Sequence, residues 1–304
     1  MKLEFVPRSC PLCGSTDFTV FAESNVDERK LTTSAFASRK LPEYMHARMV
    51  ECKACGMLYA NPALRQENLS TAYKEASFDA EAESRLAAQT YRAFLENHGL
   101  SASLRKSALD IGAGDGAFVE QLLAMGFDDV VGVEPSQAPL EAAKPEIRAH
   151  LRSGIFLAAD FAPDSFDLIT CCQVMEHIPS PLEISRDVFS LLRPGGLFFI
   201  VVHNRHALSA RTLGEKSPIF DIEHLQLFDE QTGERLLEKA GFRSICVKAV
   251  RNKYPLDYWI KLFPFPRPIK TALRGTARIS GLGDFLVSLP AGNLAMIGQK
   301  PNLS

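Results

Sequence analysis

The stretch Leu109-Asp110-Ile111-Gly112-Ala113-Gly114-Asp115-Gly116 decides the fold of this chain of 304 residues. Its apolar run ends in glycines at every second position, and Val130-Val131-Gly132-Val133-Glu134 follows. This order predicts a strand, a glycine-rich turn, a helix, and a second strand with an acidic residue at its end. Such a unit holds a nucleoside, because the backbone approaches the ligand at the glycines and the carboxylate accepts from the ribose hydroxyls.

The charge around this turn indicates which nucleoside it holds. A pyrophosphate requires a helix N-terminus of positive character, whereas Asp110 and Asp115 bring negative charge to the turn. The glycine spacing also differs from the G-x-G-x-x-G of dinucleotide sites. A ligand with a cationic centre and an ammonium group suits the turn better, and S-adenosylmethionine has both. The sequence therefore predicts S-adenosylmethionine as cofactor.

The octet resembles motif I of the class I S-adenosylmethionine-dependent methyltransferases, and later segments are similar to further signatures of that family, in the same order. The similarity spans about residues 105–204. It implies a doubly wound, seven-stranded α/β sheet with an antiparallel hairpin at one edge, and methyl transfer as the activity. The later segments are Asp164-Ser165-Phe166-Asp167-Leu168-Ile169, Val174-Met175-Glu176-His177-Ile178 and Leu192-Arg193-Pro194-Gly195-Gly196-Leu197.

The resemblance places several residues at the cofactor. Gly112 and Gly114 are expected under its methionine part, and Asp110 is expected to orient the turn or the cofactor's ammonium group. Glu134 is expected to accept from both ribose hydroxyls. Gln173 follows the fourth predicted strand and is expected to contact the methionine part.

The residue that contacts the adenine ring is harder to identify than the residues above. Many members of the family carry an acid directly after the third strand, where this chain has Ser153-Gly154-Ile155-Phe156-Leu157. Asp160 is the nearest later acid and is retained as a cofactor-binding candidate. The alternative is that the backbone around Ile155 and Phe156 contacts the base instead.

The N-terminal part contains two near-copies of one knuckle, Cys10-Pro11-Leu12-Cys13-Gly14 and Cys52-Lys53-Ala54-Cys55-Gly56. Four thiolates suit tetrahedral zinc and leave no open position for water, which predicts a structural metal. The alternatives are four free thiols or a redox pair. A redox pair is disfavoured because neither C-x-x-C opens a helix in a βαβ unit.

Length, composition and charge bound the remaining possibilities. We predict a zinc-binding subdomain over residues 1–75 and a cofactor-binding domain over 76–304. The chain is 46% hydrophobic with a net charge of −2, and it shows neither an uninterrupted apolar run of membrane-spanning length nor an apolar leader. These features predict a cytoplasmic protein and argue against a nucleic-acid partner.

An insert over 251–290 separates the two predicted hairpin strands, Phe242–Val250 and Asn293–Gln299. We predict that it is helical. It interleaves aromatic and basic residues, a pattern that permits peripheral contact with a membrane or a lipid-linked substrate. A helical cap packed on the core and a dimer surface are the alternatives. The aromatic residues concerned are Tyr254, Tyr258, Trp259, Phe263, Phe265 and Phe285.

Three histidine positions, His177, His203 and His224, are candidates for the general base. His203 ends the fifth predicted strand, and His224 follows Glu223 in the loop before the next helix, where family members close over the acceptor. A histidine titrates near neutral pH and can accept a proton there, and Glu223 could tune the neighbouring ring. The alternative is that His224 only holds its loop. His177, beside Glu176, is interpreted as architecture near the cofactor.

The combination of a four-Cys knuckle, a class I core and a Glu-His pair resembles the bacterial sugar methyltransferases, above all the nucleotide-sugar C-methyltransferases. That resemblance implies a base role for His224, with Glu223 beside it, and a substrate-binding tyrosine such as Tyr59 or Tyr73. Those enzymes carry a further C-terminal α/β domain, where this chain has only the insert. O- or N-methylation of a glycan or lipid-linked sugar therefore fits equally. An rRNA methyltransferase and a non-catalytic binding protein are the alternatives.

Overall fold

The structure is a computed structural model that describes residues 4–27, 45–65, 81–101, 104–263 and 266–302. Tyr73 and Phe265 lie outside the described residues. Within these ranges the strands are β1 Phe5–Val6, β2 Phe18–Ala22, β3 Met49–Cys52, β4 Leu58–Ala60, β5 Ala63–Leu64, β6 Ser107–Ile111, β7 Asp129–Glu134, β8 Leu151–Ser153, β9 Phe166–Cys172, β10 Leu192–His203, β11 Gln226–Leu227, β12 Arg243–Pro255 and β13 Leu286–Gln299.

The helices lie mainly between the strands of the large sheet. Short 3-10 turns occur at Ala158–Asp160 and Gly214–Lys216. The α-helices of the described ranges are α1 Glu81–His98, α2 Ala117–Ala124, α3 Gln137–Ala142, α4 Pro145–Arg148, α5 Pro181–Leu191, α6 Leu208–Leu213, α7 Glu230–Ala240, α8 Leu256–Leu262 and α9 Arg267–Ile279.

The seven-stranded sheet has the order β12-β13-β10-β9-β6-β7-β8. Strands β10, β9, β6, β7 and β8 run parallel, and β13 pairs antiparallel with both β10 and β12. The order reverses between β6 and β9, which places a crevice at the carboxyl ends of these two strands. The predicted doubly wound class I methyltransferase sheet is confirmed.

Strand β10 shows how the sheet is buried on both faces. Phe198 and Ile200 pack in one core cluster with Val188 of α5 and Leu236 of α7. Phe199 belongs to the opposite cluster, which α1 and α2 cover. Alternation with period two therefore distributes one uniformly apolar strand between two cores, as expected for a parallel sheet covered on both sides.

The N-terminal part does not fold separately from the core. Its four-stranded sheet has the order β11-β4-β3-β2, and β11 comes from residues 226–227 of the predicted second domain. Leu12 and Tyr59 also share one core cluster with Phe228. The boundary at residue 75 therefore divides the sequence, but the hydrophobic core crosses it.

The predicted insert is only partly helical. Arg251–Pro255 pairs with Leu286–Pro290, so the hairpin is longer at both strands than we predict, and α8 and α9 occupy its tip. Since His203 pairs with Asn293, this extension projects beyond the carboxyl end of β10. The sequence signal was weak because Pro255 and Pro290 interrupt the two runs.

Candidate functional site

Two glycines of the turn after β6 are subject to different constraints. Gly112 has φ 72°, and a Cβ there would lie 2.3 Å from Val174 Cγ2. Gly114 has φ 57°, and a Cβ there would meet no described atom within 4 Å. Gly112 is therefore required by packing, while Gly114 borders open space that a ligand can enter.

Glu134 at the end of β7 closes this turn. Its Oε2 accepts from the Gly114 N–H at 2.9 Å and its Oε1 accepts from the Ser136 N–H at 2.8 Å. Burial raises the pKa of the carboxyl, and these two donors oppose the shift. Each oxygen retains a second lone pair, so the predicted acceptance from two ribose hydroxyls fits this geometry.

Two further carboxylates lie at the same turn. Asp110 is buried and accepts from Thr170 Oγ1 at 2.6 Å, and burial raises its pKa to about 7. Asp115 accepts from Ser84 Oγ at 3.3 Å, and burial raises its pKa as well. Thr170 and Ser84 were not predicted from the sequence, because each meets its acid only through tertiary structure.

Gln173 follows β9 and has the strained φ of 58° that only a few side chains adopt. Its backbone N–H donates to the Val201 carbonyl at 2.7 Å, which holds the residue beside β10. Its side-chain Nε2 is buried without a hydrogen-bond partner among the described residues. A buried orphan donor is costly unless a ligand accepts from it, so this residue fits the predicted contact with the methionine part of the cofactor.

Asp160 is exposed at the end of its 3-10 turn, which gives little support to its predicted adenine contact. Phe156 is buried and stacks on Phe161, with 6.1 Å between the ring centroids. Phe161 in turn contacts the Phe166 ring edge to face, with 5.5 Å between centroids. Ile155 and Leu157 on either side are about half exposed. These two apolar side chains are better placed than Asp160 to contact a flat base.

Three histidine rings cluster beyond the carboxyl end of β10. The ring of His224 lies 4.9 Å from that of His177 and 5.0 Å from that of His203, measured between centroids. Nδ1 of His224 lies 2.7 Å from the Ile219 carbonyl oxygen. Because a carbonyl only accepts, Nδ1 is assigned the proton, and Nε2 of the neutral ring then carries the lone pair.

His203 has a different electrostatic environment. Burial and the neighbouring His224 ring lower its pKa to about 3, although a hydrogen bond with Asn293 opposes the shift. A ring with this pKa is neutral at physiological pH but is a weak base. The efficiency of a general base is highest when its pKa lies near the working pH. The predicted base role is therefore less well supported for His203 than for His224.

The two glutamates near these rings each contact a histidine that is distant from them in sequence. Glu223 faces His177, with 3.8 Å between its Oε2 and Nδ1 of that ring. The buried Glu176 accepts from the His203 N–H at 2.7 Å through Oε1. Its Oε2 has no partner among the described residues, and burial raises its pKa while the nearby His224 opposes the shift. Glu176, interpreted from sequence as architecture, is thus bonded to the backbone of His203, with His224 near enough to favour its charged form.

The four predicted cysteine ligands come together. Their sulfur atoms all lie within 4.8 Å of one another, and the pairs Cys10–Cys55 and Cys13–Cys52 are 3.5 Å apart. A tetrahedral site with metal–sulfur bonds of about 2.3 Å requires sulfur separations of about 3.8 Å. The two knuckles also match in backbone, since Gly14 and Gly56 both have φ 77°. The donor set therefore fits one zinc ion.

A family model described as a methyltransferase domain matches residues 78–247, which is more than half of the chain. The chain belongs to this methyltransferase family. Curated relatives include the ubiquinone biosynthesis O-methyltransferases of Aliivibrio fischeri, 31% identical over 110 residues, and Aeromonas salmonicida, 35% identical over 111 residues. These matches cover 34% and 33% of this chain and 47% and 44% of the relatives, so the similarity spans about half of their length.

Solved structures with a similar fold include a methyltransferase of Thermotoga maritima described as a possible histamine N-methyltransferase. It is 18% identical, with a TM-score of 0.48, and the match covers 71% of this chain and 91% of that one. A phosphoethanolamine N-methyltransferase of Haemonchus contortus is 20% identical with a TM-score of 0.46, covering 70% and 53% of the two chains. Their acceptors carry no argument for this chain.

Three arginines connect the cysteine cluster to the methyltransferase domain. Arg235 of α7 donates to the Cys55 carbonyl. Arg205, shortly after β10, donates to the Gly56 carbonyl at 3.0 Å and pairs with Asp229 at 3.1 Å. The two contacts with the knuckle join positions 149 and 180 residues apart, so no local sequence signal could have predicted them.

The third arginine reaches the histidine loops. Arg8 donates to Gln226 Oε1 at 3.1 Å, and Gln226 Nε2 donates to the carbonyls of Met175 and Ile178 at 2.6 and 2.7 Å. Tyr59 lies beside Arg8 and is fully buried, and burial raises its pKa to about 12. It is therefore placed as a core residue and offers no open surface to a substrate.

Replacing Glu134 with alanine is expected to weaken S-adenosylmethionine binding by about 100-fold, because two charge-assisted hydrogen bonds to the ribose are lost at about 1.5 kcal/mol or more each. Calorimetric titration measures this change. Glu146→Ala, an exposed acid on α4, is the matched control and should bind normally. An unchanged dissociation constant for Glu134→Ala would show that the cofactor lies elsewhere.

Proposed function

We propose that this protein transfers the methyl group of S-adenosylmethionine to a small-molecule acceptor and that His224 is the general base. The observation that carries the proposal is the convergence of the candidate residues at one edge of the sheet. Gly112, Gln173 and His203 end or directly follow the neighbouring strands β6, β9 and β10. Ligands bind at this edge in doubly wound sheets.

We propose that one group of residues binds the cofactor and that another binds the acceptor. When bound, S-adenosylmethionine supplies an activated methyl group, so the protein must orient the acceptor, exclude water and remove a proton. Gly114 offers open backbone, Glu134 offers carboxylate lone pairs, and Gln173 offers a buried amide donor. We assign these three groups to cofactor binding.

The histidine cluster is assigned to the acceptor, from which it would remove a proton. The Ile219 carbonyl holds the His224 ring and its tautomer, which leaves Nε2 to accept a proton from the acceptor. Glu176 stabilises the imidazolium that results, since its carboxylate interacts favourably with a charged His224. His203, with its lowered pKa, contributes a neutral neighbour that does not compete for the proton.

We further propose a sugar as the acceptor, either nucleotide-linked or part of a glycan or lipid-linked precursor. Support comes from the joint presence of the four-Cys cluster and the Glu-His pair, which resembles sugar methyltransferases. The curated relatives are named as O-methyltransferases, which supports transfer to a hydroxyl. We also propose that the four cysteines bind one zinc ion, whose closed thiolate shell makes it structural.

The test is release of S-adenosylhomocysteine with a panel of nucleotide-linked and lipid-linked sugars, with ribosomal RNA as comparison. We expect turnover on a sugar, and mass spectrometry of the product identifies the methylated atom. Turnover on RNA alone would overturn the acceptor class. Absence of calorimetric binding of either S-adenosylmethionine or S-adenosylhomocysteine would overturn the whole proposal in favour of a non-catalytic protein.

A further inference from the structure

Exposed apolar side chains are concentrated at the tip of the β12–β13 hairpin. Of the twelve large apolar residues exposed in the described part of the chain, seven lie between Phe263 and Leu286. Ile279 is 91% exposed and Phe285 is 65% exposed. Isolated exposed apolar residues are ordinary, but such a concentration marks an interaction surface. We call residues 256–263 and 266–286 the tip.

The charge of this region is opposite to that of the rest of the chain. The insert 251–290 contains seven lysines and arginines against two acids, whereas the remaining residues contain 27 basic and 34 acidic side chains. In α9, Arg267 and Arg278 are exposed beside the exposed Ile269 and Ile279, whereas Lys270 donates to the Lys261 carbonyl of α8. This arrangement is typical of a helix that lies in a membrane interface.

The tip is held as a packed unit. Arg274 forms a bidentate ion pair with Asp257 at 2.7 and 2.8 Å, which joins α8 and α9. Trp259 is buried and donates to the Val287 carbonyl at 2.8 Å, and Tyr254 is buried against it. Of the aromatic residues that suggested membrane contact from sequence, Tyr254 and Trp259 therefore pack inside, while Phe263 and Phe285 are exposed together with the aliphatic side chains.

The position of the tip relates it to the candidate site. The extended hairpin leaves the sheet at the level of His203, beyond the carboxyl end of β10. Gly112 and Gln173 follow strands whose carboxyl ends lie at this same edge. A surface to which the tip binds would therefore lie on the side from which an acceptor enters.

We propose that the tip is a docking surface for an anionic lipid bilayer. The apolar side chains enter the interface and the exposed Arg267 and Arg278 pair with lipid phosphates, which explains why apolar and basic side chains occur together in an otherwise acidic chain. None of the helices in the described ranges is long and apolar enough to cross a membrane, so the contact is peripheral. The further idea that docking presents a lipid-linked acceptor to His224 rests on the proposed function. Docking to the bilayer does not depend on that function.

The test is co-sedimentation of the full chain with vesicles of phosphatidylglycerol and phosphatidylcholine, against vesicles of phosphatidylcholine alone. We expect binding to the anionic vesicles that weakens in high salt. The double variant Ile279→Asp, Phe285→Asp should bind at least about tenfold more weakly, and Arg267→Ser with Arg278→Ser should lose most of the salt dependence. All four side chains are exposed, so the variants should melt like the parent chain.

Val20→Asp is the matched control, because it places the same charge at an exposed aliphatic residue on β2. It should bind vesicles like the parent. Equal sedimentation of the parent with both vesicle types, or none with either, would overturn the proposal. So would a dimer in solution that Ile279→Asp dissociates, since the tip would then bind a second copy. Vesicle binding requires no turnover, so its failure leaves the proposed methyl transfer intact.

Discussion

Replacing His224 with asparagine is expected to lower kcat by about 10²–10⁴-fold, the usual contribution of a general base. The asparagine amide can still donate to the Ile219 carbonyl in place of Nδ1, so the loop keeps its hydrogen bond. Only the Nε2 lone pair is lost. Calorimetry should therefore show an unchanged affinity for S-adenosylmethionine, while S-adenosylhomocysteine release falls.

Two variants make this result specific. His150→Asn is the matched control, because Nδ1 of His150 also bonds a carbonyl, that of Val130, at 3.0 Å but before β8 and away from the cluster. It should retain full activity. In His203→Asn the pH–rate profile between pH 5 and 8 should keep its shape, since a ring with a pKa of about 3 is already neutral there. Normal turnover in His224→Asn would refute the base assignment.

Replacing Cys52 with serine is expected to remove zinc and to lower the melting temperature by roughly 10 °C or more. Structural zinc sites contribute several kcal/mol or more to folding, and about 1 kcal/mol corresponds to roughly 2–4 °C in a chain of moderate size. The loss is transmitted because Arg205 and Arg235 donate to the backbone of the Cys52–Gly56 knuckle. Metal analysis and calorimetric melting measure both effects.

Cys52→Ser should weaken binding of the acceptor more than binding of S-adenosylmethionine. The arginine contacts reach α7, the chain after β10 and the Met175 loop, and none of them touches the Gly112–Gly116 turn. We therefore expect a larger rise in the acceptor KM than in the S-adenosylmethionine dissociation constant. Cys246→Ser, a half-buried thiol on β12 outside the cluster, should keep zinc, stability and activity. A chain that is isolated without zinc and melts at the same temperature as a zinc-loaded sample would contradict the structural role.

The features that sequence alone determined are local ones. The predicted strand before the glycine turn is observed as Ser107–Ile111, because an apolar run and a glycine turn specify a buried strand within a few residues. Asp229 and Gly241 bound α7 through equally local signals, since a cap forms between residues three or four apart. The two cysteine knuckles likewise carry their own turn geometry, which is why their four thiols were predicted as one site.

Tertiary structure decided what depends on distant partners. Sequence could not distinguish His203 from His224, because the pKa of His203 depends on the packing around its ring and on Asn293, while the tautomer of His224 depends on the Ile219 carbonyl. Nor could sequence place Glu223 near His177, 3.8 Å away, since residues that meet across two loops share no local signal. The union of the N-terminal sheet with β11 and the extension of the β12–β13 hairpin likewise follow from strand pairing across long separations. Local propensity determines the elements, whereas packing and register decide which side chains meet.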